Sequence, residues 1–153
     1  MSIQSTPKSF IVKPSEQVPL RIVGETIAVL ANADATGSYE VFFQTTPEGA
    51  GPPPHFHPWD EAYYMLDGKL EITADGETKT VSAGEFVHIP HGVLHSFRAP
   101  AGGARFISIN SKGGAAKFFA DLDREIAGEM DIPKILSVAA RHNIQVPPPP
   151  AMQ

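Results

Sequence analysis

Three histidines and a glutamate stand at spacings that could hold a metal ion: His55 and His57 two apart, Glu61 four residues on, and His95 after the turn Pro90-His91-Gly92. In an extended strand side chains alternate faces, so His55 and His57 project to the same side and can chelate one ion. Pro58 and Trp59-Asp60 interrupt that strand, which lets the chain turn and bring Glu61 back to the same pocket. His95 begins another strand in a register that lets it face inward. Three neutral imidazoles and one carboxylate suit divalent iron, manganese, cobalt, nickel, copper or zinc better than calcium. The residue types alone do not choose among these metals. The chain has no cysteine, so thiolate ligands, disulfides and cysteine nucleophiles are excluded.

These side chains need a scaffold of short strands. From Phe10 to Asn110, β-rich runs alternate with Gly, Pro and Asp clusters, the spacing of an all-β sandwich or barrel. The expected strands cover residues 21–31, 38–46, 61–66, 69–74, 77–82, 85–89, 94–99 and 104–111. Asp67-Gly68 and Asp75-Gly76 are dipeptides that close tight antiparallel hairpins. After Gly114 the period becomes helical through Phe119, Leu122 and Ile126, with Gly128 as a stop. A second short helix is expected from Pro133 to His142-Asn143, and residues 147–150 should run as extended polyproline. Phe118, Phe119, Leu122 and Ile126 are read as core packing.

The 153 residues fit one domain, with a barrel core over about residues 20–111 and a helical C-terminal appendage over about 114–146. With 42% hydrophobic and 19% charged residues the chain is globular, and a net charge of -5 leaves no general basic surface for nucleic acid. The first eight residues carry no apolar signal core, and no apolar stretch is long enough to cross a bilayer. A soluble, cytoplasmic protein is expected, with neither nucleic acid nor membrane as partner.

Two segments resemble the motifs of the cupin superfamily. The first, G-x5-H-x-H-x3-E-x6-G, is matched by Gly49, His55, His57, Glu61 and Gly68. The second, G-x5-P-x-G-x2-H-x3-N, is matched by Gly84, Pro90, Gly92 and His95, with Ala99 in place of its final Asn. The resemblance implies an all-β cupin double-stranded β-helix, or jelly-roll barrel, with short C-terminal helices, and His55, His57, Glu61 and His95 as ligands of one divalent transition metal ion. The flanks look most like small single-domain, quercetin-dioxygenase-like cupins. Family habit, with the need to cover sheet edges, implies a homodimer.

If Glu61 faces inward, Tyr63 and Met65 follow it, and His95 takes Phe97 with it. These three are the candidate substrate pocket, partly apolar and aromatic, fit for a flat organic molecule. The leading expectation is therefore a metal-dependent dioxygenase for a small apolar or aromatic, enolic or phenolic substrate, with Glu61 as ligand or general base. A non-redox isomerase or lyase and a non-catalytic small-molecule binder are the alternatives. Trp59 could cover the site or join a dimer surface. His88 and His91 are read as surface or mouth residues, and His142 as an ordinary helix-end residue.

Overall fold

The computed structural model describes residues 6–149. Its elements are β1 (Pro19–Ile22), β2 (Glu25–Ala31), a single-turn helix α1 (Ala33–Thr36), β3 (Tyr39–Thr46), β4 (Glu61–Ala74), β5 (Glu77–Ser82), β6 (Phe86–Ile89), β7 (His95–Arg98), β8 (Ala104–Ser111), α2 (Ala115–Ile126) and α3 (Ile132–Arg141). Every strand pairing among the elements is antiparallel, in the order β1-β2-β3-β8-β4-β5, with β6 and β7 also on β4. The sheet curls so that alternate residues point to a concave inner face. Along β3 these are Glu40, Phe42, Gln44 and Thr46; along β4 Glu61, Tyr63 and Met65; along β8 Ala104, Phe106, Ser108 and Asn110. This period-two burial is what a strand with one covered face produces.

Two expected boundaries are corrected. Residues 21–31 are not one strand: the chain reverses at Val23-Gly24 and splits into the β1–β2 hairpin. Asp67-Gly68 is not a hairpin turn but lies inside the 14-residue β4. The first half of β4 pairs with β8 and β6, the second half with β5 and β7, and a bulge between Met65 and Asp67 marks the bend. Gly68 is required there for a different reason than turning: its φ is +73°, and a Cβ would lie 2.0 Å from the Gly103 carbonyl oxygen. Asp75-Gly76 does close the β4–β5 hairpin, with φ of 53° and 76° at the two central residues, the type I′ signature.

Both C-terminal helices form where the periodicity places them. Leu122 and Ile126 of α2 and Val138 and Ala139 of α3 are buried with Ile22, Ile27, Phe42 and Trp59, and Phe119 meets Phe42 edge-on at 5.1 Å. The buried Glu40 carboxylate accepts from Ala116 N (3.0 Å) in the first turn of α2 and from Ala33 N (3.1 Å), so one inward-facing acid ties sheet to helix. Asp131 caps α3 by accepting from Lys134 N at 3.2 Å. Residues 147–149 lie outside helix and strand, and Pro150 falls outside the described residues. No helix among the described residues is long and apolar enough to cross a membrane.

Candidate metal centre

The segment carrying His55 and His57 is held by backbone bonds on both edges. His55 and His95 exchange N–H···O bonds of 3.0 Å each, and Phe56 exchanges bonds of 3.0 and 2.9 Å with Gln145 in the C-terminal tail. The ligand strand is thus clamped between β7 and the residues that follow α3. Gly51, just upstream, passes so close to β7 that a Cβ would fall 1.9 Å from Phe97 O, and its φ of +146° also favours glycine. Gly92 N donates to His57 O at 2.9 Å, fixing the turn before His95. Ala99, which replaces the expected Asn, is buried, with its N–H on Ala50 O and its carbonyl accepting from Gly49 N.

These constraints bring the four residues together. Ligand atoms of His55, His57 and His95 lie within 4.8 Å of one another. Glu61 Oε2 is 2.9 Å from His57 Nε2 and 3.1 Å from His95 Nε2. Each imidazole also has Nδ1 against a backbone carbonyl: Pro53 O at 2.9 Å for His55, Trp59 O at 3.0 Å for His57, and Val93 O at 2.8 Å for His95. A carbonyl only accepts, so Nδ1 carries a proton in all three rings, and the neutral form of each is the tautomer whose Nε2 offers a lone pair; Nε2 of His57 and His95 donates to Glu61 only while the ring is protonated. That common tautomer, with a carboxylate oxygen at its focus, fits a divalent transition metal.

Burial sharpens the electrostatics. Burial first, then the neighbouring His95, lowers the pKa of His55 to about 4, so it stays neutral at ordinary pH. For Glu61, burial acts to raise the pKa, but hydrogen bonds from His57 and His95 prevail and hold it well below the usual carboxylate range. For His95, burial acts downward, while its hydrogen bond to Glu61 and that carboxylate's charge prevail and raise it. Burial and the Glu61 charge push the Tyr63 hydroxyl far up, so it stays protonated.

Tyr63, Met65 and Phe97 do share the inner face beside Glu61. Tyr63, Phe97 and Phe106 pack mutually edge-to-face, with centroids 5.1–5.7 Å apart. A hollow of about 250 Å³ is lined by Tyr39, Asp60, Glu61, Ala62, His88, Ile109, Asn110 and Ser111, not by those three. His88 pairs with Ala62, which pairs with Ile109, all on the face opposite Glu61 and Tyr63, so His88 stands exposed at a depression of the outer sheet face. His91 is exposed and bonded through N and Nδ1 to Asp60 Oδ1, and His142 pairs with Asp121. Trp59 is buried, not a lid: its ring lies flat on His57, centroids 4.4 Å apart and planes 9° apart.

Sequence reasoning passed over a second polar set on the inner face: Gln44, Thr46, Ser108 and Asn110, all buried, with Glu25 accepting from Thr46 Oγ1 at 2.6 Å. The available signal was polar residues at the inward positions of otherwise alternating strands.

Comparison with known proteins agrees with this geometry. The Cupin domain family model matches residues 42–110. Quercetin 2,3-dioxygenase of Bacillus subtilis (strain 168) is 35% identical over 101 residues, which cover 64% of this chain and 30% of that protein. The chain thus spans under a third of that relative's length. Among solved structures, the polyketide cyclase RemF from Streptomyces resistomycificus is similar at a TM-score of 0.60 and 23% identity, covering 68% of this chain and 80% of that one. An RmlC-like cupin from Shewanella frigidimarina NCIMB 400 gives 0.62 and 20%, covering 71% and 96%.

Proposed function

The chain belongs to the cupin superfamily, and from that premise we propose that it is a metal-dependent dioxygenase for a small apolar or aromatic substrate with an enolic or phenolic hydroxyl. The observation that carries this reading is the shared tautomer: three Nδ1 atoms engaged by carbonyls, the ligand atoms of the three rings within 4.8 Å of one another, and Glu61 Oε2 against Nε2 of His57 and His95. The likeness to quercetin 2,3-dioxygenase supports the redox assignment. His55, His57, His95 and Glu61 would hold the ion, which when bound supplies Lewis acidity and, if redox-active, chemistry with dioxygen.

The chain's own contribution is positioning and proton transfer. Glu61, buried on the inner face beside the imidazoles, would either ligate the ion or, when free of it, accept a substrate hydroxyl proton. Tyr63, Met65 and Phe97 make the inner face beside Glu61 apolar, packed in one buried cluster. The exposed Tyr64, Leu66, Phe86 and Ile109 on the outer sheet face support a homodimer, which light scattering tests.

The decisive experiment is elemental analysis of protein purified without added metal, followed by oxygen uptake with flavonols and other enolisable phenolics on iron-, manganese-, cobalt- and nickel-loaded protein. Uptake with at least one pairing is expected; none with any pairing removes the oxygenase reading. A non-redox isomerase or lyase is the second reading, favoured by the likeness to the polyketide cyclase. It requires turnover that is equal in air and under nitrogen and is supported by zinc.

A further inference from the structure

The described chain begins with an arm that its own fold leaves unused. Residues 6–12 make no backbone hydrogen bond to any other described residue, and every residue from Thr6 to Val18 is at least partly exposed. The arm is nonetheless apolar at its centre: Phe10 is 49% and Ile11 85% exposed, with Val12 beside them. Lys13 N donates to Glu16 Oε2 at 2.8 Å, closing a 3-10 turn over Pro14–Glu16 that sets the arm off from β1. Pro7 and Pro14 flank the apolar run and reduce the entropy it loses on docking.

The sheet has an unpartnered face of matching character. The register sets Val41, Ile109, Ala62 and His88 in one outward row across β3, β8, β4 and β6, and Phe43, Ile107, Tyr64 and Phe86 in the next. No lysine, arginine, aspartate or glutamate stands in either row. Tyr64, Phe86 and Ile109 are exposed, so the chain's own arm does not cover them. At one end of this face lies the hollow of about 250 Å³ walled by Tyr39, Asp60, Ala62, His88 and Ile109, a socket with room for an aromatic ring.

The areas decide what occupies the face. Four strands about 4.8 Å apart, and two rows with their margins, give roughly 400 Å² per copy. Stacked flat on a second copy, such faces bury about 800 Å² in total, the size of a lattice contact, whereas a stable dimer buries about 1,200–2,000 Å². A flat partner would also leave the hollow unfilled. Residues 6–13 in extended form run about 26 Å. At roughly 10 Å across, each arm laid on a partner hides about 250 Å² on both sides of the contact, and two arms bring the total to about 1,800 Å². The arm is long enough: three strand spacings, about 14 Å, separate β1 from β8, against about 30 Å of extended chain between Phe10 and Pro19.

We propose that two copies of this chain exchange arms: residues 6–13 of each lie across the outer sheet face of the other, with Phe10 seated in the hollow beside His88 and Ile109. The inference rests on the homodimer reading above, and it adds the segment that locks the pair.

The chain has no cysteine, so an engineered disulfide reads the contact directly. Full-length protein carrying both Phe10→Cys and Ile109→Cys is oxidised, and its disulfides are mapped by peptide mass. A bond joining positions 10 and 109 of different chains, seen as a covalent dimer, is expected; a bond closed within one chain, or none between these positions, overturns the exchange. Light scattering over a concentration series gives the second reading. The double variant Phe10→Asp, Ile11→Asp should raise the dimer dissociation constant about a hundredfold or more, with circular dichroism and metal content unchanged because neither residue is buried. A parent dimer unaffected by that variant sinks the arm exchange and leaves the homodimer standing on its sheet face alone. A parent protein that is monomeric throughout removes both.

Discussion

Replacing His57 by alanine separates the metal centre from the fold that carries it. The imidazole is 4% exposed, lies flat on Trp59, and bonds both Trp59 O and Glu61 Oε2. Truncation opens a ring-sized void, costing about 2–3 kcal/mol, and leaves a buried carbonyl unmatched, at about 1–2 kcal/mol. A combined loss of about 4 kcal/mol in a chain of this size lowers Tm by roughly 8–16 °C, so the variant folds but melts early. In the parent protein, metal at a hundred times its Kd adds about 2.7 kcal/mol and raises Tm by roughly 5–10 °C. With one of three imidazoles gone, affinity should drop about a hundredfold, and the same metal concentration then shifts Tm by only about 1 °C. Calorimetric melting with and without metal, paired with elemental analysis, reads both effects. A His57→Ala protein that kept stoichiometric metal, or the full metal-induced rise in Tm, would refute the ligand assignment.

Gly68→Ala should cost on the order of 3 kcal/mol or more, from the positive φ and the collision with Gly103 O; urea unfolding measures it, and a neutral result contradicts the tight crossing of β4. Burial raises the Glu25 pKa to about 7. Its contribution is therefore fully present below the ordinary carboxyl range and lost as pH rises through about 7, so Glu25→Gln should stabilise the protein by about 2 kcal/mol at pH 8 and not at pH 4, as paired urea titrations will show. Metal retention after dialysis should fall as pH drops below about 6, because His95, made more basic by Glu61, takes up a proton in competition with the ion; unchanged metal content at pH 4.5 contradicts this. Ending the chain after Asn143 removes the buried Ile144 and both Phe56–Gln145 bonds, and should weaken metal binding about tenfold in a chelator competition.

What the sequence made legible was local geometry. The two-residue spacing of His55 and His57 requires a shared face in any strand, and the shared face is observed. Asp75-Gly76 closes a hairpin because nothing distant competes with its turn preference. Asp67-Gly68 carries the same dipeptide, but Gly68 answers to Gly103, a residue far along the chain, so the local signal names the wrong element. Val23-Gly24 was concealed by apolar residues on both sides, which read as one long strand. The grip of Gln145 on Phe56 and the stacking of Trp59 on His57 depend on where the C-terminal helices dock, information that no short window contains. Asn110 was visible as a polar residue in a strand run, but only the register of β8 with β4 places it opposite Glu61.

The protein contains one tryptophan, and its ring rests face-on against the imidazole of His57, a proposed metal ligand. Its intrinsic emission therefore amounts to a single-site optical reporter of occupancy, with no label and no second indole to dilute the signal. An open-shell ion on His57 should quench that emission strongly and closed-shell zinc only weakly, so one fluorimeter cuvette can rank competing metals in the native protein.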